Sequence, residues 1–167
     1  EIPLSTRSIL IRTHNGNSVA NFGPKIKELT NLRDVEFDRH ILPIFIKDRR
    51  INELLEMFNN FWRIKSISLY DNDLSVFDKT ALKSMFDGMP NLVQIDLARC
   101  NLKKLDKERL NIVTRNPGNL RCIDLSLNWF RELSEEKLRI ISGNLKNTRT
   151  IILDTNCLYS MEKCLSC

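Results

Sequence analysis

Two neighbouring stretches decide the fold: Leu92-VQIDLARCN-Leu102 and, 28 residues on, Leu120-RCIDLSLNW-Phe130. Both read apolar-x-x-apolar-x-apolar-x-x-(Asn/Cys/His)-x-apolar. Working outward, Ile64-KSISLYDND-Leu74 and Leu32-RDVEFDRHI-Leu42 lie upstream and Thr148-RTIILDTNC-Leu158 lies downstream. All five align without gaps, with Thr148 in place of the first apolar residue. They start at 32, 64, 92, 120 and 148, a spacing of 32 and then 28 three times. A weaker copy, Thr6-RSILIRTHN-Gly16, begins 26 residues before the first. Self-similarity at a fixed period of this size marks a stacked-repeat architecture.

The intervening segments repeat as well. Phe77, Leu82 and Met85 follow the copy that starts at Ile64, Leu105, Leu110 and Val113 the copy that starts at Leu92, and Phe130 is followed by Leu133, Leu138 and Ile141. The last two of each set are three apart and share one helix face. Asp78, Asp106 and Ser134 stand just before these stretches, where their oxygens can accept from a free first-turn N–H. Gly88, Gly118 and Gly143 fall near the helix ends and are expected to take positive backbone angles. In the longer unit Leu54, Met57 and Phe61 hold the core offsets, and four extra residues fall around Ile46 to Arg50. Asn72, Asn128 and Asn156 recur at one slot, where a short polar side chain can bond the turning backbone of the adjacent coil. Cys100 can do so weakly, and His14 and His40 occupy the same slot in their copies.

These motifs resemble the leucine-rich repeat family, and the 28-residue period with Cys100 at the ladder slot resembles its ribonuclease-inhibitor-like subclass. The resemblance implies an α/β solenoid with a parallel sheet on the concave face and helices on the convex face. One strand–helix unit cannot bury its own apolar side, whereas stacked neighbours can. The expected organisation is an N-terminal capping or degenerate repeat over 1–28, the repeat domain over 29–160 and a tail over 161–167.

Strand side chains alternate in direction. The apolar fourth and sixth positions of each copy point inward, so the third, fifth and seventh are expected on the open face. The fifth column reads Leu10, Glu36, Ser68, Asp96, Asp124, Ile152. The seventh reads Arg12, Asp38, Tyr70, Ala98, Ser126, Asp154, and the third Ser8, Asp34, Ser66, Gln94, Cys122, Thr150. Six of these eighteen positions are acidic and one is basic, although the chain carries a net charge of +5. Asp34, Glu36, Asp38, Asp96, Asp124 and Asp154, with Tyr70 as an aromatic anchor, are therefore the candidate site for a basic protein partner. They are expected to be dispensable for folding. The second column is mostly basic: Arg7, Arg33, Lys65, Val93, Arg121, Arg149. Arg33, Lys65, Arg121 and Arg149 are the alternative, nucleic-acid-binding candidates.

The stretch from Arg49-Arg50 to Leu102, with its Pro90-Asn91-Leu92 approach to a strand, is similar to the leucine-rich repeats of the nuclear RNA export factor family. That resemblance implies contact with RNA or adaptor proteins. The chain departs from it after Leu102, where the strict 28-residue period continues.

Composition narrows the function classes. With 167 residues, 42% hydrophobic and 28% charged, the chain reads as one soluble globular domain. No window approaches the ~20 apolar residues of a membrane helix, so no membrane partner is expected. The two His both fall at the ladder slot, which leaves Ser or Cys nucleophiles without a base. Glycine is scarce and no phosphate-cradling loop occurs. The expectation is a non-enzymatic interaction scaffold without cofactor. Cys164 and Cys167 have the spacing of half a zinc site, but no second Cys/His pair accompanies them, so no metal is expected. Five Cys and the absence of an Asn-x-Ser/Thr site point to an intracellular location, cytoplasmic or nuclear. The start at Glu1, without Met or a signal pattern, reads as a piece of a longer protein.

Overall fold

In the computed structural model, which describes residues 2–12, 23–115 and 118–156, six parallel strands form one sheet in chain order. They are β1 (Ser8–Ile11), β2 (Asp34–Phe37), β3 (Ser66–Ser68), β4 (Gln94–Asp96), β5 (Cys122–Asp124) and β6 (Thr150–Ile152). The helices are α1 (Gly23–Ile26), α2 (Ile41–Lys47), α3 (Ile51–Asn59), α4 (Lys79–Asp87), α5 (Lys107–Thr114) and α6 (Glu135–Leu145). Each connection returns the chain to the next strand through one coil, and α3, α4, α5 and α6 pack in sequence beside one another. This is the α/β solenoid that the repeat predicts.

The core lies between sheet and helices. Val35, Ile67, Ile95 and Ile123 stand side by side in the strand register and are all buried, as are Phe37, Leu69, Leu97 and Leu125 two residues on. Leu54, Met57 and Phe61 complete this core from the helical side. Phe58 stacks on Phe37 at 5.5 Å and meets Phe61 edge-on at 5.2 Å between ring centres. The four extra residues of the longer unit split its helical segment into α2 and α3. At the break Arg49 turns to φ 57°, and Arg50 grips Glu53 through two hydrogen bonds of 3.0 and 2.6 Å. Those bonds hold the Glu53 carboxyl below its usual range. Three helices begin on the caps that the sequence predicts. Asp78 accepts from the Ala81 amide and Asp106 from the Arg109 amide, both at 2.8 Å, and Ser134 accepts from Lys137 at 3.4 Å.

Buried carboxamides tie the coils together. Asn72 Oδ1 accepts from the Leu42 amide at 2.8 Å, and its Nδ2 donates to the Asp38 and Tyr70 carbonyls. Asn128 Oδ1 accepts from Leu102 at 3.1 Å, and its Nδ2 donates to the carbonyls of Leu97, Leu125 and Ser126. Asn156 accepts from the Asn128 amide at 2.8 Å and donates to Leu125 and Leu153. Cys100 donates its thiol to the Leu69 carbonyl at 3.0 Å, and burial pushes that thiol far above its ordinary range. A thiol offers no equivalent acceptor, so the Leu74 amide turns instead to the Cys100 carbonyl at 3.1 Å.

Two expectations are corrected. His40 is not a ladder residue: its side chain is 72% exposed. In that copy β2 runs one residue further, the left-handed turn falls on His40 itself, and α2 starts at once on Ile41. Of the three glycines, Gly118 alone takes a positive φ, 98°. Gly88 is required by space, since an added Cβ would lie 2.5 Å from the Phe58 carbonyl oxygen, and Gly143 sits within α6 with open space around it. His14, Cys157, Cys164, Cys167 and the tail over 161–167 lie outside the described residues.

The ladder gives a direct test. Asn128→Ala strands the Leu102 amide and the Leu97 carbonyl, while the Leu125 and Ser126 carbonyls keep donors in Asn156 and the Arg99 amide, at a cost of about 1–3 kcal/mol. Its thermal midpoint falls well below that of the parent chain, whereas an unchanged midpoint would place Asn128 outside the coil junction.

Candidate interaction surface

The sheet's open face carries no covering element among the described residues. Strand pairing sets Ser8, Asp34, Ser66, Gln94, Cys122 and Thr150 side by side, and likewise Leu10, Glu36, Ser68, Asp96, Asp124 and Ile152. The third and fifth columns are thus assembled as the repeat predicts. The seventh is not. Ala98 and Ser126 are 4% and 7% exposed, so in those copies the column turns inward. The cause is the fifth residue. Asp96 accepts from the Ala98 amide at 2.9 Å and Asp124 from the Ser126 amide at 2.8 Å, each bending the chain two residues on. The strand ends there, and with it the alternation.

This changes the roles of the acidic residues. Asp34 and Glu36 are exposed. Asp38 is exposed and accepts from the Arg39 amide at 2.8 Å. Asp154 is exposed on the edge copy, and its carbonyl accepts from Leu127. Asp96 and Asp124 are half-buried turn-formers, contrary to the expectation that no acidic residue has a folding role. Burial pushes the Asp96 carboxyl above the usual range. Hydrogen bonds from Ala98 and Ser68 oppose that shift, while repulsion from Asp124 and Glu36 adds to it. Among the described residues none of Asp34, Glu36, Asp38, Asp96, Asp124 and Asp154 makes an ion pair.

The second column forms a leading rim where the chain enters each strand. Its backbone stays in register: Lys65 donates to the Arg33 carbonyl at 2.7 Å, Val93 to Lys65 and Arg121 to Val93, both at 2.8 Å. Arg33 Nη1 caps the Thr30 and Leu32 carbonyls and Lys65 Nζ the Asn91 carbonyl. Arg121 and Arg149 are exposed and share a shallow depression with Lys65, Asn119 and Asn147. None of these four cations pairs with a carboxylate among the described residues.

The helical side differs. Lys79 pairs with Glu108 at 2.6 Å, Lys103 with Glu132 and Lys27 with Glu56 at 3.0 Å, and Lys107 with Glu136, each from one coil to the next. Lys83, Arg109 and Arg139 pair with Asp87, Asp106 and Glu135 within their helices. The carboxylates of the sheet face and the cations of its leading rim thus stay without ion pairs among the described residues, an acidic face beside a basic rim.

Several features escape the repeat reading. Asp71 is buried in a left-handed turn, with Arg99 Nε at 3.2 Å and His40 Nε2 at 3.6 Å. A second ladder runs along the leading rim. Asn31 donates to the Leu4 carbonyl, Arg63 to Thr30, Asn91 to Trp62 and Asn119 to Pro90, at 2.8–3.4 Å. Its signal is the residue before the first apolar position of each copy. The trailing rim, where the chain leaves the strands, carries Arg39 over the Tyr70 ring at 5.0 Å, and Lys103 and Arg131 beside the Trp129 ring at 5.2 and 5.8 Å. Trp129 is 47% exposed. No three His, Cys, Asp or Glu side chains among the described residues converge as a metal site requires. No helix there is long and apolar enough to cross a membrane.

Comparison with known proteins agrees with this architecture. The leucine-rich repeat-containing protein LegL7 from Legionella pneumophila superposes with a TM-score of 0.68 over 89% of this chain, at 17% sequence identity. The fold is a leucine-rich-repeat solenoid. The chain spans a little under half of LegL7, 46% of its length. No protein-family model matches the sequence, and no curated protein does either.

The two roles of Asp96 can be separated. Its raised carboxyl means that the folded state favours the protonated form, so stability is lost as pH rises through the raised value. Asp96→Asn keeps an acceptor for the Ala98 amide and removes the charge. It melts at or above the parent at neutral pH, and the difference disappears on the acid side of the carboxylate range. Asp96→Ala loses the turn bond and about 1 kcal/mol. Equal losses in both variants would contradict this division.

Proposed function

We propose that this chain is a non-enzymatic protein-interaction scaffold whose open sheet face receives a basic protein surface. One observation carries the reading. Six carboxylates stand on or beside that face, and none is neutralised by an ion pair among the described residues. On the helical side, by contrast, lysines and glutamates are matched coil by coil. Exposed pairs contribute little stability individually, so the pattern matters for recognition rather than for folding. An unneutralised acidic strip steers a cationic partner and gains most when that partner replaces water. Docking centres on Glu36, Asp96 and Asp124, with Asp34, Asp38 and Asp154 around them and Tyr70 at the trailing edge.

A second reading has its own observation. The basic rim of Arg33, Lys65, Arg121 and Arg149 is equally unpaired, and three of its members share one depression. It fits a role like that of the nuclear RNA export factor repeats, with RNA or an adaptor protein held along the rim.

The two separate experimentally. Asp34→Lys and Glu36→Lys, combined with Asp96→Asn and Asp124→Asn, reverse or neutralise four of the six carboxylates while keeping both turns. A fluorescently labelled Lys/Arg-rich peptide then binds at least about tenfold more weakly, a loss of ~1.4 kcal/mol, most visibly at low salt. Reversing Arg33, Lys65, Arg121 and Arg149 to Glu leaves that binding intact. The opposite pattern would discard the sheet-face reading in favour of the rim.

A further inference from the structure

The trailing rim bears a surface that neither charge column describes. Four consecutive coils each place one group on it: Arg39, then Tyr70, then Arg99, then Trp129, with about 4.8 Å between adjacent strands. Cation and ring alternate. Arg39 lies over Tyr70 at 5.0 Å, and Trp129 is flanked by Lys103 at 5.2 Å and Arg131 at 5.8 Å. Arg99 comes from the coil between those of Tyr70 and Trp129, with its Nε 3.2 Å from the buried Asp71. Lys103 also meets Glu132 at 3.0 Å, while Arg39 and Arg131 face no carboxylate within ion-pair distance among the described residues.

Folding does not account for Trp129. Its backbone has φ 59°, the left-handed region that bulky residues avoid. The same slot one coil earlier holds Asn101 at φ 59°, a residue suited to that conformation, and there the side chain bonds Asp73. Trp129 takes the strained position and leaves about half its surface in water. Left-handed turns recur along this rim, at Asp71, Arg99, Asn101, Leu127 and Thr155, but among the described residues Trp129 alone sets an exposed indole on one, and that placement points to a binding role.

We propose that this rim binds single-stranded nucleic acid, with bases stacking on Trp129 and Tyr70 and phosphates held by Arg39, Arg99, Lys103 and Arg131. A carboxylate-rich protein segment would satisfy the cations and offer nothing regular to the rings. A nucleic acid brings a negative charge and a flat π-face with every unit, which is what alternating cations and rings accommodate. The proposal shares only Tyr70 with the acidic-face reading and concerns the opposite edge of the sheet from the basic leading rim.

The test uses intrinsic fluorescence. The chain has two tryptophans, so in Trp62→Phe the indole signal comes from Trp129 alone. Titration of this variant with a single-stranded oligouridylate of about a dozen nucleotides quenches the signal, and the quench weakens as salt rises. Trp129→Asn installs the residue of the preceding coil, so it folds with an unchanged or higher melting midpoint. It binds the labelled oligonucleotide about tenfold or more weakly, the loss expected for one stacked base. Arg131→Glu weakens binding as well and leaves Trp129 in place. Four results would each overturn the proposal. The oligonucleotide binds without quenching, or with undiminished affinity for Trp129→Asn. Reversing Arg33, Lys65, Arg121 and Arg149 abolishes the quench. Polyglutamate of matched charge quenches and competes equally, which would mark an acidic-protein surface.

Discussion

The buried carboxamide at the turn is the constraint on which the rest depends. Each coil leaves its strand through a tight bend that exposes amides and carbonyls to the core side, and every buried polar group there needs a partner. Asn128 alone serves one amide and three carbonyls spread over two adjacent coils. Asn72 and Asn156 do the same work at neighbouring junctions. A carboxamide suits the slot because it donates and accepts from one rigid group. Cys100 shows the limit of a substitute: its thiol reaches one carbonyl well, and the Leu74 amide goes to a backbone carbonyl instead.

Because the ladder, the caps and the apolar stack hold the coils, most of the open face is free of structural duty. Asp34 and Glu36 make no hydrogen bond that the fold needs. Asp96 and Asp124 are the exceptions, since each both bends the chain and contributes charge. Charge is sorted accordingly. On the helical side many lysines and arginines are paired with carboxylates of their own or the next coil, and the carboxylates around the sheet are not. A solenoid built this way presents an acidic strip between two edges that carry cations, and the trailing edge adds two aromatic rings.

Much of this was legible because a strand–helix repeat has two independent periods. The spacing of 28 fixed the register, so the third and fifth columns, the N-caps at Asp78, Asp106 and Ser134 and the Asn slot could all be read from aligned letters. What failed were inferences that carried a rule past the end of an element. Alternation placed Ala98 and Ser126 outward, but the strand stops at Asp96 and Asp124, whose own carboxylates turn the chain. His40 shares a letter position with Asn72 but not its backbone, because one further residue of pairing in β2 shifts the turn. Gly88 has the helix-end position of a conformational glycine and is a steric one, a fact set by Phe58 thirty residues away. The pairing of rings with cations on the trailing rim depends on side-chain directions beyond the strands, which no repeat pattern encodes.

Native-state hydrogen exchange tests the central claim most directly. The amides of Leu42 and Leu102 lie outside the strands, yet both are bound by a buried carboxamide from the following coil. The account predicts that they exchange as slowly as the core strand amides of Ile67, Ile95 and Ile123, opening only with the coils themselves. Exchange of Leu42 and Leu102 at the rate of the exposed turn residues would mean that the ladder does not hold the coils, and the account would fail at its base.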